Sequence, residues 1–255
     1  MTSTTRQSAV ITEQLPRSIA DSPYQFKQSD VYSSHSLILE FAGQGNGKRL
    51  LDVGAAHGYL AGALRSQGFQ VTGIEADPVL GKEAANHCDE FFLLDLDEPL
   101  PSFSKPFDVM VFGDVLEHLK DPASVLREFV ENLRDDGTVI VSLPNVANIY
   151  VRLNLLFGRF DYQDRGLLDR THLHFFTRKS FRRFINDAGL EINHLIATPI
   201  PLPIVVPRQH QGRLFQALHA ANACLARKWQ TLFGYQFVAV AYKSGRRSSN
   251  VGTTA

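Results

Sequence analysis

The stretch RLLDVGAAHGYL, Arg49 to Leu60, constrains this chain more than any other. An apolar pair, Leu50 and Leu51, runs into an acid, Asp52. A turn carrying Gly54 and Gly58 follows, and then an alanine- and leucine-rich run of helical composition. A strand, a tight loop and a helix N-terminus in that order hold a nucleotide-like ligand at the edge of an open α/β sheet. Gly54 and Gly58 carry no Cβ, so backbone and ligand can approach closely there. The spacing Asp-x-Gly-x-x-x-Gly differs from the Gly-x-Gly-x-x-Gly of dinucleotide binders. No Lys-Ser or Lys-Thr closes the loop as it would in a phosphate-cradling P-loop.

Alternation continues on both sides of this segment. Helical spacing over Ser33 to Ala42 ends at a glycine cluster, Gly43 to Gly47. Strands are then expected at Arg49–Val53, Gln70–Glu75, Glu90–Leu94, Phe107–Phe112 and Gly137–Leu143. Helices separate them at about Gly58–Gln67, Pro78–Asn86 and Asp121–Leu133. Such alternation implies a mostly parallel sheet with helices on both faces. Asn145 to Phe176 breaks the rhythm, with a helical piece over Ile149–Phe157. Thr177 caps a helix ending near Gly189, and Glu191–Ala197 and Gln236–Tyr242 read as two last strands.

At 255 residues, 44% apolar and 20% charged, the chain fits one sizeable globular domain. The expected division is a loose segment 1–30, a domain over 31–243 with insertions at 145–176 and 199–234, and a disordered tail 244–255. Zero net charge gives no global pull toward nucleic acid. Cys88 and Cys224 are far apart and lack metal-ligand spacing, which fits a reducing compartment. The polar start MTSTTRQSAVITEQL has no signal-peptide core, and no stretch is long and apolar enough to span a membrane, so a cytoplasmic location is expected.

The residues ending the expected strands carry a resemblance. Asp52-x-Gly54-x-Ala56-x-Gly58, Glu75 in GIEAD, Asp95-Leu96 in LLDLDEP and Asp114 in FDVMVFGDVLEHLKDP fall in register with the motifs of class I S-adenosylmethionine (SAM)-dependent methyltransferases. The match is good over residues 49 to about 145, and Ala56 replaces the family's middle glycine. The resemblance implies an α/β, Rossmann-like, mostly parallel seven-stranded sheet in the order 3-2-1-4-5-7-6, its last strand antiparallel. It implies SAM as methyl donor and a cofactor site of Asp52, Gly54, Ala56, Gly58, Glu75, Asp95, Leu96 and Asp114. Within that site Glu75 would take the ribose hydroxyls, Asp95 the adenine amine, Leu96 the ring face, and Asp114 the methionine part. Taken singly, each acid could equally cap a helix or sit in a solvated loop.

Transfer to a hydroxyl needs a base, and imidazole, with a pKa of about 6.5, is suited to the task. His118 and His172 are the candidate catalytic residues. Asp114-x-x-Glu117-His118 is similar to the Glu-x-x-Glu-His of the ubiquinone-pathway O-methyltransferases and the small-RNA 2′-O-methyltransferases. Those groups bind a divalent metal with help from a later histidine, which Thr171-His172 matches best. A metal on Asp114, Glu117, His118 and His172 is the less favoured reading, because Glu-His after strand four is common without one. Surface positions are expected for His35 and His87, and surface or interface positions for His210 and His219.

The phrase GLLDRTHLHFFTRKSF, Gly166 to Phe181, resembles bacterial methyltransferases of polysaccharide and secondary-metabolite genes. An Asp169–Arg170 ion pair would stand at the acceptor mouth. Arg165 and Arg170 could hold an anionic group, and Tyr150, Phe157, Phe160 and Tyr162 could form a lid. The expected reaction is O-methylation of a small or carrier-linked acceptor, a sugar, glycoconjugate or secondary metabolite ahead of a quinone or phenol. Nucleic acid is not expected as a partner. A rival of another class is a non-catalytic SAM-fold binding module. The prolines of Pro199–Pro207 argue for an extended apolar segment. Leu214, Leu218, Ala221, Leu225, Trp229 and Leu232 then form a helical stripe with Arg213, Arg227 and Lys228 around it. Packing of that stripe on its own sheet is expected, with a peripheral membrane or homodimer contact through 199–232 as the alternative.

Overall fold

The computed structural model describes residues 30–245. Apart from Asp30, Ser244 and Gly245, the expected loose segment and tail lie outside the described residues. The elements in chain order are α1 (Ser34–Ala42), β1 (Arg49–Val53), α2 (Tyr59–Ser66), β2 (Gln70–Glu75), α3 (Pro78–Ala84), β3 (Glu90–Leu93), β4 (Phe107–Gly113), α4 (Pro122–Glu131), β5 (Leu133–Pro144), α5 (Ile149–Leu156), α6 (Arg178–Asp187), β6 (Leu190–Ala197), α7 (Leu202–Val205), α8 (Arg213–Lys228), α9 (Gln230–Phe233) and β7 (Gln236–Lys243).

Side chains alternate across a strand, so β1 sends Leu51 and Val53 to one face of the sheet and Leu50 to the other. Leu51 and Val53 join the larger core with Met110, Phe112, Phe129 and Phe181. Leu50 packs in a second core with Ile38, Leu64, Val71 and Val111. Burial on both faces suits the continuous apolar runs of parallel strands. The sheet has seven strands in the order β3-β2-β1-β4-β5-β7-β6. β7 runs antiparallel to both β5 and β6. The order reverses between β1 and β4, which opens a crevice beyond their C-terminal ends.

Several local expectations give way. α4 stops at Glu131 and β5 begins at Leu133, before Gly137, because Leu133 already pairs with Phe107. The ladder then shifts register before Val109 meets Thr138, which absorbs the charged turn between. The proline segment, expected to be extended, holds one helical turn, α7. Proline is tolerated there because first-turn N–H groups have no intrahelical acceptor. α8 packs on the body through His219, Ala223 and Ala226, whereas Leu214, Leu218, Ala221, Leu225 and Trp229 face outward. The apolar stripe expected against the sheet is therefore the exposed face of the helix. His219, expected at the surface or an interface, is buried within the chain's own fold, and Asp30 is not loose: the His219 ring Nε2 meets Asp30 Oδ1 at 3.1 Å.

Candidate active site

The loop after β1 is held by a carboxylate. The Ala56 N–H donates to Glu75 Oε2 at 2.8 Å, and the Ala76 and Asp77 N–H groups both donate to Oε1 at 2.9 Å. Glu75 thus ends β2 fixed beside the loop, and carboxylate oxygens keep lone pairs for further donors. Ala56 has φ 48°, the left-handed conformation that a glycine at this position would adopt freely. Protein takes up the space left free at the two flanking glycines. A Cβ on Gly54 would lie 2.7 Å from Val115 Cγ2, and one on Gly58 would lie 2.7 Å from Ala84 Cα. Their missing side chains admit the loop after β4 at Gly54, and α3 at Gly58. α3 also anchors the loop through Glu83, which accepts from the Tyr59 hydroxyl at 2.9 Å and meets His57 Nδ1 at 2.6 Å.

Asp52 is buried within β1, and its Oδ2 has no hydrogen-bond partner among the described residues. Burial, and then the Glu75 charge, push its pKa up to about 7. Asp95 is exposed and accepts from the Asp97 N–H, capping its own turn. Leu96 turns inward and packs in the larger core, against which Phe92, Leu94 and Leu100 are partly buried.

Asp114 follows β4 in the left-handed region, φ 56°. Its Oδ1 accepts from the Ser142 hydroxyl at 2.6 Å and its Oδ2 from Gln236 Nε2 at 2.7 Å. Ser142 and Gln236 were missed by sequence reasoning. Gln236 opens β7, and an antiparallel strand begins at the edge where its parallel neighbours end, so its pairing with Pro144 brings it to Asp114. No local motif announces such a residue. Tyr235, one position earlier, was also missed; burial first, and then the charge of Asp114, push its phenol up to about 12.

The fold brings the two candidate histidines together. The His118 and His172 rings lie 4.8 Å apart, edge to face. The Leu173 and His174 N–H groups donate to the Glu117 carbonyl, and this joins the 3₁₀ turn Leu116–His118 to the second half of the chain. His118 Nδ1 lies 3.1 Å from Thr171 Oγ1, whose own hydroxyl donates to Asp169. His172 is 8% exposed and Glu117 is 0% exposed; His172 Nε2 lies 3.9 Å from Glu117 Oε1. Burial, and then the neighbouring His118, lower the pKa of His172 below its ordinary value. Ligand atoms of Glu117, His118 and His172 all lie within 4.8 Å of one another. One carboxylate with two imidazoles fits a borderline divalent ion. Asp114 is not among that group; its two oxygens accept from Ser142 and Gln236 and each keeps a lone pair for a further donor.

The insertion 145–176 borders these histidines with aromatics. Phe175 meets His172 and Phe160 edge-on, and Phe160 in turn meets Tyr162. Tyr150, Phe157, Phe160 and Tyr162 are all exposed. The expected Asp169–Arg170 pair does not form. Arg170 binds Asp164 at 2.6 Å, while Asp169 caps the Thr171 N–H. A carboxylate satisfied by its own turn leaves Arg170 to the nearest exposed acid.

This sheet order, the carboxylate-held loop after β1 and the acid after β4 are the fold and site of the class I SAM-dependent methyltransferase family. The methyltransferase-domain family model matches residues 26–195, and the chain belongs to that family. It is 31% identical over 161 residues to a ubiquinone biosynthesis O-methyltransferase of Aeromonas salmonicida, covering 58% of this chain and 65% of that protein. A ubiquinone biosynthesis O-methyltransferase of Aromatoleum aromaticum is 29% identical over 187 residues, covering 69% and 79%. Across such relatives the matched stretch spans 42% to 79% of their length. Among solved structures, the SAM-bound magnesium protoporphyrin IX methyltransferase of Synechocystis shares the fold with a TM-score of 0.51 and 15% identity, covering 85% of this chain and 79% of that chain. No helix among the described residues is long and apolar enough to cross a membrane.

Proposed function

We propose that this protein moves the methyl group of SAM to a hydroxyl oxygen of a small or carrier-linked acceptor. The observation that carries the reading is His172, a nearly buried imidazole of lowered pKa held against His118 and Glu117. An imidazole kept neutral can take the acceptor proton as the oxygen attacks the methyl carbon. The sulfur–methyl bond breaks, its electron pair stays on sulfur, and S-adenosylhomocysteine leaves. Glu117 stands beside the ring to favour the imidazolium that forms, a carboxylate supporting a base. On this reading Glu75 holds the ribose, Asp114 the methionine end, and the loop Gly54–Gly58 the space between, with Asp52 beneath it. Should a divalent ion be bound by Glu117, His118 and His172, it would lower the pKa of an acceptor hydroxyl.

The names of the relatives favour O-methylation and a phenolic or quinone-precursor acceptor. Stacking on Phe160, Tyr162 and Tyr150 suits such a ring and a sugar equally. Labelled SAM given with cell extract, followed by product mass, separates them. A one-methyl gain on a phenolic or sugar compound supports the reading, and label on nucleic acid or protein overturns it. Glu75→Ala should weaken S-adenosylhomocysteine binding by roughly ten- to a hundredfold, the scale of hydrogen bonds to a charged group. Binding without methylation of any extract component would favour a non-catalytic SAM-fold module.

A further inference from the structure

We infer that the outer face of α8, with the groove at its C-terminal end, docks on an anionic phospholipid surface. Leu214, Leu218, Ala221 and Leu225 recur at helical spacing and stand away from the body; Leu214 is 75% and Leu218 57% exposed. The opposite face is fixed to the fold by His219 on Asp30 and by the Asn222 amide on the Ile200 carbonyl. The helix therefore cannot roll its leucines inward without breaking those bonds. Trp229 closes the stripe at 53% exposure, and the Lys228 ammonium lies 5.5 Å from its ring. From Leu214 to Trp229 the apolar line is roughly 22 Å long at the helical rise.

Charge selects the occupant. From Ile192 to Ala255 the sequence has no aspartate or glutamate, while arginine and lysine recur. At the C-terminal end of the helix, sharing Trp229 with the stripe, lies a groove of about 720 Å³ lined also by Arg178, Arg227, Lys228 and Phe233. Three cations and two aromatic rings, with no carboxylate among the lining residues, match phosphate headgroups above acyl chains. Tryptophan and basic residues at the edge of an apolar face are the usual anchors at a membrane–water boundary. A second copy fits poorly. A twofold contact through this helix would bring the basic residues Arg213, Arg227 and Lys228 of one copy toward the same basic set of the other, with no acid in the helix to answer them. The groove is also tied to the acceptor side: the side-chain amides of Asn145 and Asn148 both donate to the Gly234 carbonyl at 2.8 Å. Docking would thus set the orientation of the insertion 145–176 toward the surface.

The test is flotation of the full chain with vesicles of phosphatidylcholine alone or with about one-third phosphatidylglycerol, at low and high salt. The expected result is binding to the anionic vesicles only, released by about 0.5 M salt as surface charge is screened. L218E/L225E and R227E/K228E should each lower the bound fraction at least about tenfold while S-adenosylhomocysteine binding and the melting temperature stay as in wild type. If the leucine pair lowers melting, Lys228→Glu alone carries the comparison. Absence of flotation with anionic vesicles, or flotation of the variants equal to wild type, overturns the inference. So does a dimer in light scattering that Leu218→Glu returns to monomer, which would make the face a contact between copies. Complete displacement from vesicles by inorganic phosphate at the lipid-phosphate concentration would also overturn it, leaving a small-anion site.

Discussion

Gln236 Nε2 donates to Asp114 Oδ2 at 2.7 Å across 122 positions of sequence. With the Ser142 hydroxyl on the other oxygen, it fixes a carboxylate whose backbone sits at φ 56°. Gln236→Ala removes one charge-assisted bond at a nearly buried position, worth about 1.5–3 kcal/mol. The KM for SAM should rise or kcat fall, with kcat/KM reduced roughly ten- to a hundredfold. Gln236→Glu should be worse, because it opposes two carboxylates. Steady-state kinetics on both variants check this, and unchanged kcat/KM would separate Asp114 from the cofactor.

His172→Ala should lower turnover at least about a hundredfold, the usual scale for a general base. S-adenosylhomocysteine affinity should hardly change. The lowered pKa fixes the pH profile: the neutral, active imidazole persists below the ordinary histidine value and is lost as pH falls through the shifted one. The acidic limb of kcat/KM in wild type should therefore lie below about pH 6.5 and vanish in the variant. Treatment with a chelator, followed by Mg²⁺ or Mn²⁺, distinguishes a plain base from a metal-supported site.

Asp52 makes the ligand-free protein less stable as pH rises. Its pKa is raised in the folded state to about 7 from 3.8. The folded protein thus holds a proton that the unfolded chain releases. The contribution is full below the unfolded value and is lost as pH climbs from there through the folded one. The loss is worth up to about 4 kcal/mol for a shift of this size. Asp52→Asn should flatten the fall in melting temperature between about pH 4 and pH 7. Parallel melting curves for wild type and variant would remove Asp52 from the explanation.

The glycine loop offers a contrast between two neighbouring positions. Gly58→Ala combines φ 76° with a Cβ placed 2.7 Å from Ala84 Cα, and backbone cannot yield cheaply. A loss of about 2–4 kcal/mol is expected from left-handed strain and overpacking together. Ala56→Gly relieves strain at φ 48° but adds chain entropy to the unfolded state. It should stay within about 1 kcal/mol of wild type. Urea unfolding of the two variants measures both values.

Much of the parallel half could be read from local pattern. Apolar runs of strand length, proline at the start of α3 and α4, and a glycine turn after β1 are each imposed by nearby residues. Their boundaries agree to within a few residues, and Glu75 and Asp114 stand at strand ends, as the pattern placed them. The approach of His118 to His172 was anticipated through motif resemblance alone, since no periodicity between the two positions encodes it.

The departures share a cause. Apolar residues three and four apart in α8 mark an amphipathic helix but not which face meets the body. Buried His219, Ala223 and Ala226 form the inner face, on the side where His219 meets Asp30 and Asn222 donates to the Ile200 carbonyl. Asp169 was expected on Arg170 and binds Thr171 instead. Ser142 and Gln236 join Asp114 only because β7 reverses direction beside β5. Local chemistry follows from φ/ψ preference and side-chain spacing over a few residues, and these are written in the chain. Choices of partner among distant polar groups depend on which strand edges and helix faces meet, and that is settled by packing the whole sheet.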